Sequence, residues 1–465
     1  MKQDSESISF VPAQFDPLSG SRNEAAAENP LRLLLCDIGV LLKELTRLPD
    51  CFRPFWTLDP FAELFPSLRN ILGWLLQIFV VVVECTTLLF WVPAFLYLPG
   101  SLTIAFAVLA CLVFNYVLCR PFRGPRIAHS KKALTPHDDF RNERWVFVNG
   151  IATDYHGLQM NCDRLALTFG RRIIGVHNRT IGLFGDLVEC LLQRDLSYNS
   201  MDTRVAYDYM KKFALDPTVS KVIVIGHSQG GIIVSMAVDR ILADLASDVV
   251  SKFEIYTFGS AASHFNDPLR SPSGGTFLSS PRRASSTRKQ VLLRPHRIIR
   301  HIEHYCNEWD PVTRWGVFDN IWLPSRIANR YCGAVFVRRG ATGHLLTQHY
   351  LDFMFPLDPE RRHRFLDQVV EVDTHTVARR EEAAAELAAI GTLTSQKDLS
   401  SSSAAGVEEV EVFARARVGE TVGVVADPAD PEGAAVEGRA RTVRQLSRLW
   451  RYMDGRRPAE ATSGL

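Results

Sequence analysis

Residues 222–231 read VIVIGHSQGG, a β-branched run that stops at Ser228, with Gly226 two residues before the serine and Gly230 two after it. A G-x-S-x-G pattern arises by chance in a chain of this length about one time in ten, given ordinary glycine and serine usage, so the flanks decide its meaning. Val222 to Ile225 favour an extended strand. Gly231 to Ala246, GIIVSMAVDRILADLA, carries helical periodicity. A serine at such a strand-to-helix turn sits in strained backbone with its hydroxyl above the sheet edge, and small residues on both sides let the turn close. The N–H of Gln229 then faces a reacting carbonyl, and the helix N-terminus favours negative charge there. His227 reads as a packing neighbour that points away from the reactive side of Ser228.

Outward from this turn the chain alternates strand-like and helix-like segments. RWVFVNG, RIIGVHN, KVIVIG, KFEIYTFGS, RIIRHIEHY and AVFVRR are the strands; NCDRLALTFG, GDLVECLLQR and MDTRVAYDYMKKFAL are helices between them. That alternation predicts an α/β domain over 143–375, a mostly parallel sheet with helices on both faces. A serine nucleophile on such a sheet needs an acid and then a histidine, in that chain order. Asp310 in CNEWDPVTRWG, at the end of a strand, is the first choice of acid, ahead of Asp319 and Glu308. For the base, His344 follows the last strand through RGATG, while His349 lies in the helix-like LLTQHYLDFMF. On a helix the two would be about 140° apart, so both cannot face Ser228, and the loop position favours His344 with His349 as the alternative. The second oxyanion donor is expected in the turn Asn149-Gly150-Ile151, from the N–H of Ile151, with the hydroxyl of Thr153 as a further candidate. His301 and His304, three apart on a strand, point to opposite faces and make a poor metal pair.

GHSQGG, YTFGSAASHF, NEWDPV and GHLLTQHYL together resemble the lipase class 3 branch of the α/β-hydrolases, and more narrowly the membrane-anchored α/β-hydrolases common in fungi. In that branch a strand ending in FGS follows the elbow helix, a DPV loop carries the acid, and a histidine stands shortly before a YL pair. The resemblance covers residues 143 to 356. It implies an α/β-hydrolase fold, a Ser228–His344–Asp310 triad, an oxyanion hole at Gln229 and Ile151, and hydrolysis of an acyl ester without a cofactor. The loop NGI departs from the pattern, because many lipases have a glycine followed by a hydroxyl residue there.

The rest of the sequence predicts a membrane tether. Ile71 to Leu98 is apolar but for Gln77 and Glu84, and after Pro99-Gly100-Ser101 a second apolar run reaches Cys119. Each approaches or exceeds the roughly 20 residues that span a bilayer, which gives a two-helix hairpin over 71–119. Basic residues lie outside both runs, so both ends are expected on the cytosolic side. The uncharged turn fits either a complete span or a wedge entering one leaflet, as at a lipid droplet or the endoplasmic reticulum. Residues 1–30 are expected to be disordered, 31–70 to form an amphipathic pre-membrane segment at the membrane surface, and 120–142 a basic linker. Residues 269–290 read as a flexible insertion in which RRAS resembles a kinase site, and 376–437 as a disordered tail. Residues 438–457 read as an amphipathic helix, lying on a membrane or docked on the catalytic domain.

A formal net charge of +2 gives no reason to invoke nucleic acid. Nine scattered cysteines without a CxxC pair fit a reducing compartment rather than a disulfide framework. The N-terminus lacks the apolar core of a cleavable signal peptide. Two functions compete on this sequence: a membrane-tethered serine hydrolase of lipid acyl esters, and a catalytically silent hydrolase fold acting as a membrane scaffold. The sequon Asn178-Arg179-Thr180 would report the side of the membrane on which the domain lies.

Overall fold

The computed structural model describes residues 7–13, 30–55, 57–131, 140–268, 297–322, 331–373 and 441–458. The expected insertion at 269–290, with its RRAS site, and the tail at 376–437 lie outside the described residues. Among them the backbone builds a nine-stranded sheet. Its strands in chain order are β1 (Ile8–Val11), β2 (Ile127–His129), β3 (Glu143–Val148), β4 (Ile173–Val176), β5 (Lys221–His227), β6 (Phe253–Phe258), β7 (His301–Asn307), β8 (Ala334–Arg338) and β9 (Val370–Val372). The spatial order is β2-β4-β3-β5-β6-β7-β8-β1-β9. The six strands from β4 to β8 run parallel, as their alternation with helices predicts. β2 and β1 add antiparallel edges, and β9 pairs parallel with β1.

The period-2 alternation of a strand is visible in β5. Val222 and Val224 face one core layer, with Met210 and Phe213 of α6 (Met201–Leu215) and Ile233, Ala237 and Val238 of α7 (Gln229–Asp244). Ile223 and Ile225 face the other layer, with Leu158, Leu165 and Phe169 of α4 (Tyr155–Phe169). β5 is buried on both faces, which is why it reads as an unbroken β-branched run. From β3 the chain moves outward to β4, then crosses back to β5 on the other side of β3. The strand order therefore reverses between β3 and β5, and the crevice beyond the carboxyl ends at such a reversal is where open α/β sheets bind ligands. Ser228 follows the last residue of β5.

Three expectations change. Residues 1–30 are not wholly without structure, because Ile8–Val11 is a buried strand between β8 and β9. The pre-membrane segment is more than a surface element. Its helix α1 (Pro30–Glu44) places Asp37 on Arg194 at 2.7 Å, both side chains buried, and Glu44 on Arg314 at 3.0 Å. The C-terminal segment is not a continuous amphipathic helix. It folds as a short turn, Val443–Leu446, and a 3-10 stretch, Leu449–Gly455, and buries Val443, Leu449, Tyr452 and Met453 in the α4 layer. Polar bonds fix this docking: Glu303 accepts the N–H of Arg448 at 2.6 Å, and the Arg448 guanidinium meets Glu254 at 3.0 Å. Burial pushes Glu254 up, but His301, Arg448 and Lys221 hold it down at about 2.

Two helices are long and apolar enough to cross a membrane, α2 (Leu68–Tyr97) and the run from Gly100 to Leu118. The second begins as α3 (Gly100–Val113) and ends in a π-helical turn, Phe114–Leu118. They touch near the connecting turn, where the Thr103 hydroxyl donates to the Ala94 carbonyl at 3.3 Å and Trp91 meets Phe106 at 6.2 Å.

Candidate active site

Ser228 holds φ 58° and ψ −125° as the cap of α7, a conformation a non-glycine residue adopts only when its surroundings enforce it. Those surroundings are specific. The N–H of Ser228 donates to Phe258 O at 3.2 Å, and its carbonyl accepts from Gly231 at 2.9 Å and Ala261 at 3.1 Å. The helix start lies so close to β3 that a Cβ on Gly230 would fall 2.1 Å from Val148 O, and one on Gly226 would fall 2.9 Å from Gly230 O. The glycines let the turn close against its neighbours, as the motif requires.

Of the two histidines, His344 is the one joined to an acid. Its Nδ1–H donates to Asp310 Oδ2 at 2.8 Å. The same oxygen accepts the Tyr350 hydroxyl at 2.6 Å, and Oδ1 accepts Val312 N–H at 2.8 Å. Burial alone would raise Asp310, but the charge and hydrogen bond of His344, with Tyr350 and Val312, hold it below the ordinary carboxylate value. His344 Nε2 is buried and makes no hydrogen bond among the described residues. The nitrogen a base requires is thus unencumbered, and apo sites commonly close the nucleophile–base bond only with substrate present.

His349 occupies another position. It lies in a π-helical turn, Leu346–Leu351, rather than on a regular α-helix with His344. Its Nδ1 accepts Leu345 N–H at 2.9 Å, and burial lowers it to about 4. It buttresses the loop that carries His344. The two other acid candidates also lie elsewhere: Glu308 pairs with Arg339 at 2.9 Å and accepts Gly340 N–H at 2.7 Å, and Asp319 opens the helical turn Asp319–Trp322.

The turn after β3 lies directly against the serine, since a Cβ on Gly150 would sit 2.4 Å from Ser228 Cβ and 2.9 Å from its Oγ. Neither Gln229 N–H nor Ile151 N–H has a hydrogen-bond acceptor among the described residues, which leaves both expected donors available. Thr153 is not a third, because its hydroxyl donates back to Ile151 O at 3.2 Å. The turn is strained at Ala152, φ 52°, and held by Asp186, whose Oδ2 accepts Ala152 N–H at 3.0 Å and whose Oδ1 accepts Ile181 N–H at 2.8 Å. Burial raises Asp186 to about 7 against those bonds.

Several residues support the site through contacts the sequence did not signal, and His227, a packing neighbour as expected, does not point away from the site but lies against His344. His227 stacks on His344, with ring centroids 4.8 Å apart, and its Nε2–H donates to the His344 carbonyl at 2.8 Å. Burial, then the neighbouring His344, lowers His227 to about 3, so it stays neutral. It steadies the loop of the base rather than serving as one. The Gln229 side chain accepts from Asn178 Nδ2 and donates to Gln193 at 3.0 Å and Glu189 at 3.3 Å. Asn178 is thereby buried in the network behind the elbow, and in the folded chain its sequon does not offer the amide to a glycosylating enzyme. The pre-membrane segment supplies two more contacts: Cys51 O accepts His344 N–H at 3.1 Å, and Glu63 accepts Thr347 N–H at 2.9 Å.

Elsewhere His304 is closed off between the Thr257 hydroxyl at 2.7 Å and Cys332 O at 3.0 Å. Among the described residues no group of His, Cys, Asp and Glu side chains is arranged to hold a metal ion. Compared with protein-family models and with curated proteins, the chain matches none.

Proposed function

We propose that the protein is a membrane-tethered serine hydrolase that cleaves acyl esters, with an α/β-hydrolase fold of the lipase class 3 kind. The observation that carries the reading is the strained Ser228 turn at the strand-order reversal, together with His344, whose Nδ1 is held by a buried carboxylate while its Nε2 is left without a partner among the described residues.

In this reading Ser228 Oγ attacks the ester carbonyl while His344 Nε2 takes its proton. Asp310 fixes the tautomer through Nδ1–H and stabilises the imidazolium that forms. The N–H groups of Gln229 and Ile151 receive the charge that develops on the carbonyl oxygen. The tetrahedral intermediate collapses as His344 returns the proton to the leaving alcohol, leaving Ser228 acylated. Water, deprotonated by His344, attacks the acyl-enzyme, and release of the acid restores the serine. Each of these steps uses side chains, backbone N–H groups and water. The two apolar helices next to the domain favour a substrate held in a lipid surface, a glycerolipid ester above a soluble one, at the cytosolic face of the endoplasmic reticulum or a lipid droplet.

A fluorophosphonate probe tests the reading. The full-length protein in vesicles should be labelled, and Ser228→Ala should abolish labelling without lowering the melting temperature. Absence of labelling in a folded wild-type protein would leave the silent scaffold as the function.

A further inference from the structure

Glu84, one of the two polar interruptions of the first apolar run, has a structural purpose. Asn70, Gln77, Val80 and Glu84 are the buried residues of α2, and their spacing of seven, three and four places them on one helical stripe. That stripe faces protein. Asn70 donates to Phe65 O at 3.0 Å, Trp74 Nε1 donates to Glu63 O at 3.1 Å, and the Glu84 carboxylate accepts Leu183 N–H at 3.1 Å. Leu183 begins α5 (Leu183–Leu196), a helix of the catalytic domain. The fit at Glu84 is close: a Cβ on Gly182 would lie 1.9 Å from its Oε1. Val80 packs with Cys119 and Phe122, which fixes the return arm at the same level. The first half of α2 is therefore held by the segment before it, by the return arm and, at Glu84, by the start of α5 in the catalytic domain, and the part beyond Glu84 projects.

The projecting part is short. Beyond Glu84, Cys85 to Tyr97 rises about 20 Å at 1.5 Å per residue, whereas a hydrocarbon core is about 30 Å thick. The return arm runs from Gly100 to Leu118, and its last turn, Phe114–Leu118, packs beside Val80, below the level of Glu84. The turn is built to stay out of water. Leu98 N–H donates to Ala94 O at 2.9 Å, Leu102 and Thr103 N–H donate to Pro99 O at 2.9 and 3.1 Å, and the Thr86 and Thr87 hydroxyls bond back to Val82 O and Val83 O. Backbone groups satisfied within the segment are the condition for lying in hydrocarbon. On the side away from the clamp, α2 exposes Leu72, Leu75, Phe79 and Val82, and α5 exposes Phe184 and Val188.

We propose that the hairpin is a wedge, with its tip ending inside the hydrocarbon and the α2–α5 face of the catalytic domain pressed onto the same lipid surface, so that the chain does not cross the bilayer. The occupant of this apolar face is a lipid leaflet, because the face is continuous with the hairpin itself. The inference rests on the membrane part of the proposed function and is independent of the chemistry of Ser228.

The test is cysteine accessibility in the full-length chain. Cys85→Ser and Cys111→Ser remove the exposed thiols of the hairpin, exposed Cys36 on α1 remains as an outside reference, and Ser101→Cys marks the tip. The protein is inserted into sealed phosphatidylcholine vesicles and treated with a bulky, membrane-impermeant maleimide, either outside or trapped within. A wedge gives one mass shift from outside, none from the trapped reagent, and two only in detergent. A shift with the trapped reagent would mean a spanning hairpin and overturn the proposal. Two shifts from outside, the result for a hairpin covered by a second copy of the chain in solution, would overturn it as well. A second measurement uses triolein droplets coated with a phosphatidylcholine monolayer. The wedge should float with them, and a chain that enters bilayers but not these droplets would refute it.

Discussion

The three histidines around Ser228 respond differently to substitution if their geometry is read correctly. His344→Ala removes the base, which in a serine triad costs on the order of 10⁶ in kcat, so hydrolysis of a soluble p-nitrophenyl ester should fall to background. His227→Phe keeps an aromatic ring against His344 but deletes the Nε2–H that donates to the His344 carbonyl at 2.8 Å. An unpaired buried acceptor costs about 1–3 kcal/mol. If half or more of that is felt as misplacement of His344 in the transition state, kcat falls roughly 10-fold, since 1.36 kcal/mol is a factor of ten. His349→Ala strands Leu345 N–H at a similar cost, borne mainly by the stability of the loop, and kcat should stay within about 10-fold of wild type.

The pH profile separates positioning from acid–base work. His227 and His349 are lowered to about 3 and about 4, so neither changes charge across the neutral range in which ester hydrolysis is followed. The acid limb of kcat/KM should keep its wild-type midpoint in His227→Phe and His349→Ala while its height falls. An active His344→Ala beside an inactive His349→Ala would refute the assignment of the base. An acid limb that vanishes or moves in His227→Phe would refute the neutral, steadying role of His227.

Two predictions concern the scaffold. Arg448→Met removes the guanidinium from the buried Glu254 carboxylate, which keeps Lys221, 3.7 Å away, His301 and the hydroxyls of Tyr256 and Tyr452, each at 2.8 Å, and breaking such a charge pair costs about 3 kcal/mol. Thermal unfolding should show that loss, and wild-type stability would mean that the C-terminal segment is not part of the core. Asp186 rises from an ordinary 3.8 to about 7 on folding. Its contribution to stability is therefore complete below about pH 4, where both states are protonated, and is lost as pH rises through 7, where the folded carboxyl must ionise. Melting temperatures measured from pH 4 to 8 should decline less in Asp186→Asn than in wild type, and parallel curves would refute the raised value.

The residues that could be read from sequence are those whose role is local. β5 and its serine turn are legible because burial on both faces requires an unbroken β-branched run and because the glycines answer a local steric demand. Asp310 and His344 are legible as loop residues after long strands. β1, β2 and β9 were missed because strands of three or four residues carry too few alternations to register; pairing with β8 and β4 makes them strands. The reach of Asp37, Glu44, Glu63 and Glu84 was illegible for a different reason. Each bonds a group at least 99 residues later in the chain, and nothing in a charged residue's neighbours names a distant partner. The helical-angle argument that His344 and His349 cannot both face Ser228 rests on a geometry that does not apply, because His344 precedes the turn and that turn is π-helical. The loop position, which favoured His344, picks out the histidine that bonds Asp310.

The carboxylates also join the hairpin to the chemistry. Glu84 accepts the first N–H groups of α5, and Asp186, in the first turn of that helix, accepts Ala152 N–H beside Ile151, the proposed oxyanion donor. A carboxylate at a helix N-terminus contributes up to about 2 kcal/mol in a partly buried setting, so Glu84→Ala frees the start of α5 by that amount. If α5 holds the strained turn at Ala152, kcat on a soluble ester in detergent, where membrane placement no longer matters, should fall by up to about 30-fold, with KM little changed. An unchanged kcat would mean that the hairpin only anchors the enzyme. A loss confined to lipid substrates in vesicles would mean the same, since placement alone would then account for it. Only a defect that persists away from any membrane makes Glu84 a contributor to the oxyanion site, and the two short hydrogen-bonded links between them are the physical route by which it would act.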